Sequence, residues 1–301
     1  MTMKLFNKHY VSMGIIPIVV AASLWAFGYF LRKGIFDSVS PILVNFFTCW
    51  VVSAIIFIVY RINYRSIIEV FWRYPFRYLG LSLTGVALGT TFMFLAIDNL
   101  DLGIATLLEK LQPIFILLLS TWLIKEAFPI RKLPFVLLAI ISTYFVSTKF
   151  PFDLTFSSKE ITGIIYVILA GLSWALASII GKTIVDKKAK AEEITFLRFG
   201  LGGIFLFPFF LFNKQLNLSM YLNLDVISII VIAAVISTTL GYVLYYRGLR
   251  FVAVSTAGFL ELFTPIVGLL LGITFLNESL VITQWFAIPI LLFSIFRILR
   301  R

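Results

Sequence analysis

Two glutamates in apolar surroundings carry the most readable chemistry of this chain. Glu109 lies in Leu108-Glu109-Lys110-Leu111-Gln112-Pro113 and Glu261 in Leu260-Glu261-Leu262-Phe263-Thr264-Pro265, each four residues ahead of a proline. A charged side chain in an apolar run costs about 2.5–3.5 kcal/mol to insert into a bilayer, so it turns toward protein or water. Such a pair suits two tasks, binding a cationic or amino-bearing solute or taking up a proton. The structural alternative is that Glu109 neutralises Lys110 or a neighbouring helix. On a continuous helix Lys110 is turned about 100° from Glu109, so one lines a path while the other pairs with a different helix or snorkels. No basic residue stands at 257, 258, 264 or 265, the helical neighbours of Glu261.

Arg198 also falls inside an apolar run. It can gate, bind a carboxylate, snorkel or form an inter-helix salt bridge, and its place near a helix start favours the last two. Trp25, Trp174, Tyr29, Tyr242 and Tyr245 are the aromatics expected to touch solute, because rings offer flat faces to planar or cationic groups. Pro113 and Pro265 remove a backbone donor beside each acid and predict kinks there. The pairs Gly85/Gly89 and Gly268/Gly272 read as close helix packing.

Other chemistry lacks its residues. Neither a GxxxxGK[ST] phosphate loop nor a GxSxG elbow occurs, His9 is the single histidine and Cys49 the single cysteine. No metal site, cofactor or enzymatic activity is expected, and Cys49 reads as a packing thiol.

Stepping from these residues to the elements that hold them, 61% of the 301 residues are hydrophobic and 13% charged. Soluble domains carry about 25% charge, so this chain cannot cover a water-facing surface. Runs of spanning length, about 17–25 residues, are Tyr10–Leu31, Ser38–Tyr60, Tyr78–Ile97, Ile161–Gly181, Val226–Tyr246 and Ser279–Phe296. Leu133–Thr148 is shorter. Leu102–Ile124, Ile194–Phe212 and Val252–Leu276 contain internal charge. Ten transmembrane helices are predicted, the first a retained helix rather than a leader. Counting residues sets Glu261 about 14 Å and Glu109 about 10 Å from their membrane surfaces.

With the N-terminus in the cytoplasm, 18 of the 25 basic residues fall inside and five outside, among them Arg32, Lys33 and Lys214. Both termini are therefore expected to be cytoplasmic. The net charge of +11 reflects this bias and does not call for nucleic acid.

The chain also repeats. Gly14, Leu24-Trp25-Ala26 match Gly163, Ser173-Trp174-Ala175 at an offset of 149, and Gly89, Ala105, Glu109, Pro113 and Glu126 match Gly241, Ala257, Glu261, Pro265 and Glu278 at 152. Residues 1–150 and 151–301 read as two five-helix halves. An odd number of spans inverts the second half, and a solute site is expected between them.

On these motifs the chain resembles the drug/metabolite transporter superfamily and, within it, the EamA family of ten-helix carriers. The glutamate–proline segments ending at Glu126 and Glu278, Trp25, Trp174 and Arg198 carry the resemblance. Two departures stand out. Arg198 aligns with Asn45, and helix one has no acid, so the drug–proton antiport of small multidrug-resistance relatives does not carry over.

The expected protein is an all-α integral membrane secondary transporter in the plasma membrane (the inner membrane of a bacterium), working by alternating access. Its solute would be a small polar metabolite, such as an amino acid, a nucleoside-like compound or an amine. The rival reading is a flippase for a lipid or lipid-linked group. Expected partners are the solute, membrane lipids and, if Glu261 titrates, a coupling proton; a homodimer is compatible with the sequence.

Overall fold

A computed structural model describes residues 11–36, 38–100, 105, 108–126, 130–147, 157–212, 221, 223–276 and 281–299. Helices account for all regular structure among these residues. Seven helical segments are long and apolar enough to cross a membrane: α1 (Met13–Phe36), α2 (Pro41–Val59), α3 (Pro75–Asn99), α6 (Ser158–Val185), α7 (Ala191–Phe212), α8 (Leu224–Leu249) and α9 (Val254–Phe275). Three shorter apolar helices are α4 (Gln112–Leu123), α5 (Leu133–Phe145) and α10 (Ile282–Ile298). At about 1.5 Å per residue, α4 alone spans only about 18 Å. The unbroken run expected over 102–124 is interrupted, because Lys110 and Leu111 form a turn between helical Glu109 and α4. Glu278 lies outside the described residues.

Local chemistry explains the helix ends. Pro41 occupies the first turn of α2, where a missing N–H costs nothing. Ser157 and Glu160 form a reciprocal capping box at the start of α6. Arg61, Lys125 and Lys188 adopt φ of 48°, 55° and 66° just past α2, α4 and α6, the left-handed conformation that closes helices. A short amphipathic helix, Tyr64–Arg73, sits between α2 and α3, with Ile67 buried and Tyr64, Ile68 and Trp72 exposed.

The outer surface is apolar. Ile58, Trp122 and Phe212 are 71%, 77% and 80% exposed, which suits hydrocarbon and not water. The chain is therefore an integral membrane protein.

Helix packing follows a regular scheme. Helix α1 packs on α8 and α9, while α6 packs on α3 and α4. Helices α2 and α7 pack on each other, as do α4 and α9, and α5 and α10. Besides Val11–Ile15 at the start of α1, two stretches inside helices widen to π-helix, Leu83–Leu88 within α3 and Ala233–Leu240 within α8. A π turn shifts backbone pairing by one residue and frees carbonyls for other donors, a device common at functional sites.

Candidate functional site

The glutamates sit where their helices break. Glu109 precedes the turn at Lys110–Leu111, and Pro113 lies in the first turn of α4. Glu261 opens a 3-10 turn, Glu261–Phe263, inside α9, with Pro265 two residues past it. Each proline falls near the start of a new helical segment, Pro113 in α4 and Pro265 in the segment from Thr264. The Thr264 hydroxyl donates to the Glu261 carbonyl at 2.7 Å and seals the break.

Both acids line one buried cavity with Trp25, Tyr29, Trp174, Arg198, Tyr242 and Tyr245. Glu109 and Glu261 are 7% and 8% exposed. Lys110 does not line the cavity but pairs with Glu109, Nζ to Oε2, at 3.3 Å, and is itself buried. The separation expected from a 100° turn does not hold, because the helix stops at Lys110 and the two side chains fold together. Lys110 also lies within electrostatic reach of Glu261. The space is narrow: about 60 Å³ of it admits the centre of a water molecule, room for a few waters.

The tryptophans are arranged alike but bonded differently. Trp25 packs its ring 5.0 Å from Tyr242 and 5.4 Å from Tyr245. A Cβ at Gly241 would stand 2.7 Å from its Nε1. Trp174 lies against Gly89, where a Cβ would meet its ring at 2.5 Å. Its N–H donates to the Gly85 carbonyl at 3.0 Å, whereas Trp25 Nε1 is buried without a hydrogen-bond partner. The Tyr245 hydroxyl is also buried and lies near Ser178 and Glu261. Gly85 and Gly89, read as mere packing glycines, prove to be contacts of Trp174 and Arg198.

Arg198 does not snorkel, and among the described residues it forms no salt bridge. It is 3% exposed and donates to the Tyr246 hydroxyl at 2.7 Å, the Tyr242 hydroxyl at 3.2 Å and the Gly85 carbonyl at 3.1 Å. Its guanidinium sits 4.2 Å from the Tyr242 ring centre. The π turn in α3 supplies that carbonyl, and the bare α-carbon of Gly85 supplies the room: a Cβ would come within 2.6 Å of Nη2.

Sequence reasoning missed several polar members of the lining: Arg32, Asn45, Thr90, Gln112, Ser178 and Thr238. The distribution of basic residues places Arg32 in an external loop, whereas it is 4% exposed near the end of α1. Its spacing, three residues after Tyr29 and seven after Trp25, places all three on one helix face. Asn45, the counterpart of Arg198, donates to the Val86 carbonyl and the Thr91 hydroxyl. Among the described residues no three of His, Cys, Asp and Glu come together as a metal site.

An apolar bundle with a polar, charge-bearing cavity at its helix breaks is the architecture of a membrane carrier. The sequence model of the EamA-like transporter family matches twice, over residues 12–148 and 161–300; the chain belongs to this family. It is 25% identical to an uncharacterized transporter of Archaeoglobus fulgidus across 95% of its own length and 98% of the relative's. A second such protein of that organism is 30% identical across 63% of this chain and 64% of the relative. The riboflavin transporter ImpX of Fusobacterium nucleatum subsp. nucleatum is 25% identical across 84% and 86%. A solved crystal structure shares the fold, with a TM-score of 0.75, 16% identity and coverage of 95% and 96%. The chain is a membrane transporter of this family and not an enzyme.

Proposed function

We propose that the protein is a secondary transporter that moves a small polar metabolite across the plasma membrane by alternating access, with both termini in the cytoplasm. The convergence of Glu109 and Glu261, at equivalent helix breaks of the two sequence repeats, on one buried cavity carries this reading. Ten spans in two inverted halves, 1–150 and 151–301, fit the packing. Exchanging each helix for the one five places on turns α1–α8 into α6–α3 and α1–α9 into α6–α4, while α2–α7, α4–α9 and α5–α10 map onto themselves. The two matches to the family model, over 12–148 and 161–300, support a division into two halves. Rocking of the halves would bare the acids to each side in turn, with Glu261 binding the solute's amino group or carrying a coupling proton. A lipid headgroup would need a polar lateral path. The lateral groove between α2 and α7 is lined by Ile42, Leu43, Pro208, Phe209 and Phe212, with Ser40 its polar member.

The test is uptake into proteoliposomes, with radiolabelled riboflavin, the proteinogenic amino acids and nucleosides as probes, for wild type and Glu261→Gln. The substitution keeps the shape and removes the charge. Reconstituted variant should lose at least 10-fold of the wild-type flux, and its residual flux should no longer respond to an imposed pH gradient. Normal flux through a well-expressed Glu261→Gln protein would reduce the acid to a structural counter-ion.

A further inference from the structure

We propose that Arg32 is the anion-binding residue of this cavity and that the transported solute carries a carboxylate that pairs with it; the inference rests on the transport reading above.

Of the two cations that line the cavity, Arg32 has the fewer acceptors. Arg198 donates to three and lies on the Tyr242 ring, although its Nε, like that of Arg32, has no partner. Arg32 donates to the Gly28 carbonyl at 3.3 Å and to the Thr238 hydroxyl at 2.9 Å, and its Nε is buried with no partner. The ion pairs among the described residues, Lys110–Glu109, Lys182–Asp186 and Lys190–Glu193, do not include it. A guanidinium stays charged at any physiological pH, and a buried charge with no counter-ion is costly. A solute anion would supply the missing charge.

The surroundings hold the guanidinium in place and leave its buried Nε without a protein acceptor. A Cβ at Gly28 would stand 2.0 Å from Ser237 Oγ and 2.9 Å from Arg32 Nη1, so only glycine lets the side chain fold back beside α8. The Thr238 hydroxyl donates its own hydrogen to the Ala233 carbonyl at 3.3 Å, which turns its lone pairs toward Arg32. Phe94 lies beneath, 5.6 Å from ring centre to Cζ. The unspent Nε edge is one that takes a carboxylate in a two-point fork. One unpaired positive charge matches a carboxylate better than a phosphate, whose charge is about −1.5 to −2 at pH 7. Tyr29, Glu109 and Glu261 line the same cavity as Arg32, so a solute with its anion at Arg32 shares that cavity with both acids.

The experiment measures binding by thermal shift and calorimetry to purified wild type, Arg32→Gln and Arg32→Lys. The probes are matched pairs, the proteinogenic amino acids with their amides and benzoate with benzamide, and phenyl phosphate is added as a separate arm. At least one acid should bind wild type, its amide at least 10-fold more weakly. Arg32→Gln should lose at least 10-fold for the acid and nothing for the amide, and Arg32→Lys should fall between. Equal binding of acid and amide, unchanged acid binding by Arg32→Gln, binding of phenyl phosphate alone, or no binding of any acid would each overturn the assignment. If Arg32→Gln does not reach the membrane, Arg32→Lys with the acid–amide comparison on wild type decides. A flux of neutral or cationic solute that fails in Glu261→Gln but persists in Arg32→Gln would retire this inference and keep the transport reading. Absence of flux for every probe would retire the transport reading itself.

Discussion

Glu126 holds Ser255 by two hydrogen bonds: its Oε2 accepts from the Ser255 hydroxyl at 2.8 Å and from the Ser255 amide at 3.4 Å. Oε1 accepts from the Val254 amide at 3.0 Å. A carboxylate that follows α4 therefore caps the first amides of α9, where unpaired donors and the helix dipole favour negative charge. Lys125, with φ 55°, turns the chain, and the Glu126 amide returns to the Ser120 carbonyl at 3.2 Å. If the halves rock, this clasp opens whenever the cytoplasmic side does. Glu126→Ala should raise the cytoplasmic labelling rate of a Thr256→Cys reporter several-fold; native Cys49, fully buried, gives no background. Unchanged labelling would make Glu126 a static cap.

The glycines give a graded test of the tryptophan contacts. Gly89→Ala and Gly241→Ala each place a methyl within about 2.7 Å of an indole, an overpacking that typically costs about 1–3 kcal/mol. Gly268, also in a GxxxG pattern, has nothing within 4 Å of its added Cβ. Thermal unfolding in detergent should show lower midpoints for the first two and no loss for Gly268→Ala. Equal behaviour of the three would mean that the indoles move aside at little cost.

Two buried tyrosines separate hydrogen bonding from packing. Tyr246 accepts from Arg198 at 2.7 Å, and a bond to a charged donor contributes about 1.5–3 kcal/mol. The Tyr78 hydroxyl is buried with no partner. Tyr246→Phe should destabilise by about that amount, while Tyr78→Phe should be neutral or stabilising, as read from the same unfolding curves.

Topology is checked with reporters. A fusion after Arg301 should read cytoplasmic and one inserted near Lys214 external, following the bias of basic residues. An external C-terminus would remove the inverted repeat.

Much of the site was legible because its residues repeat. Trp25 with Trp174 and Glu109 with Glu261 stand at nearly equal offsets, 149 and 152, and polar groups in apolar runs draw notice. Arg32 escaped because a charge was taken to end a span, although its spacing from Tyr29 and Trp25 marks it as part of their face. Gly85 escaped for a different reason. Its carbonyl accepts from Arg198, Trp174 and the Thr90 hydroxyl within the stretch where α3 widens to π-helix, Leu83–Leu88, a backbone choice with no composition signature. The Glu109–Lys110 pair follows from a helix that stops where periodicity predicts continuation.

The packing of Trp25 on Gly241 also bears on how the protein is made. The two residues are 216 positions apart, so at about 5–20 residues per second a ribosome needs roughly 10–40 s to deliver the glycine after the tryptophan. For most of that interval Arg32 lacks Thr238, and Glu109, once made, lacks Glu261 for a further 152 residues. The polar face of the first half therefore stays without its partners until the second half is in place.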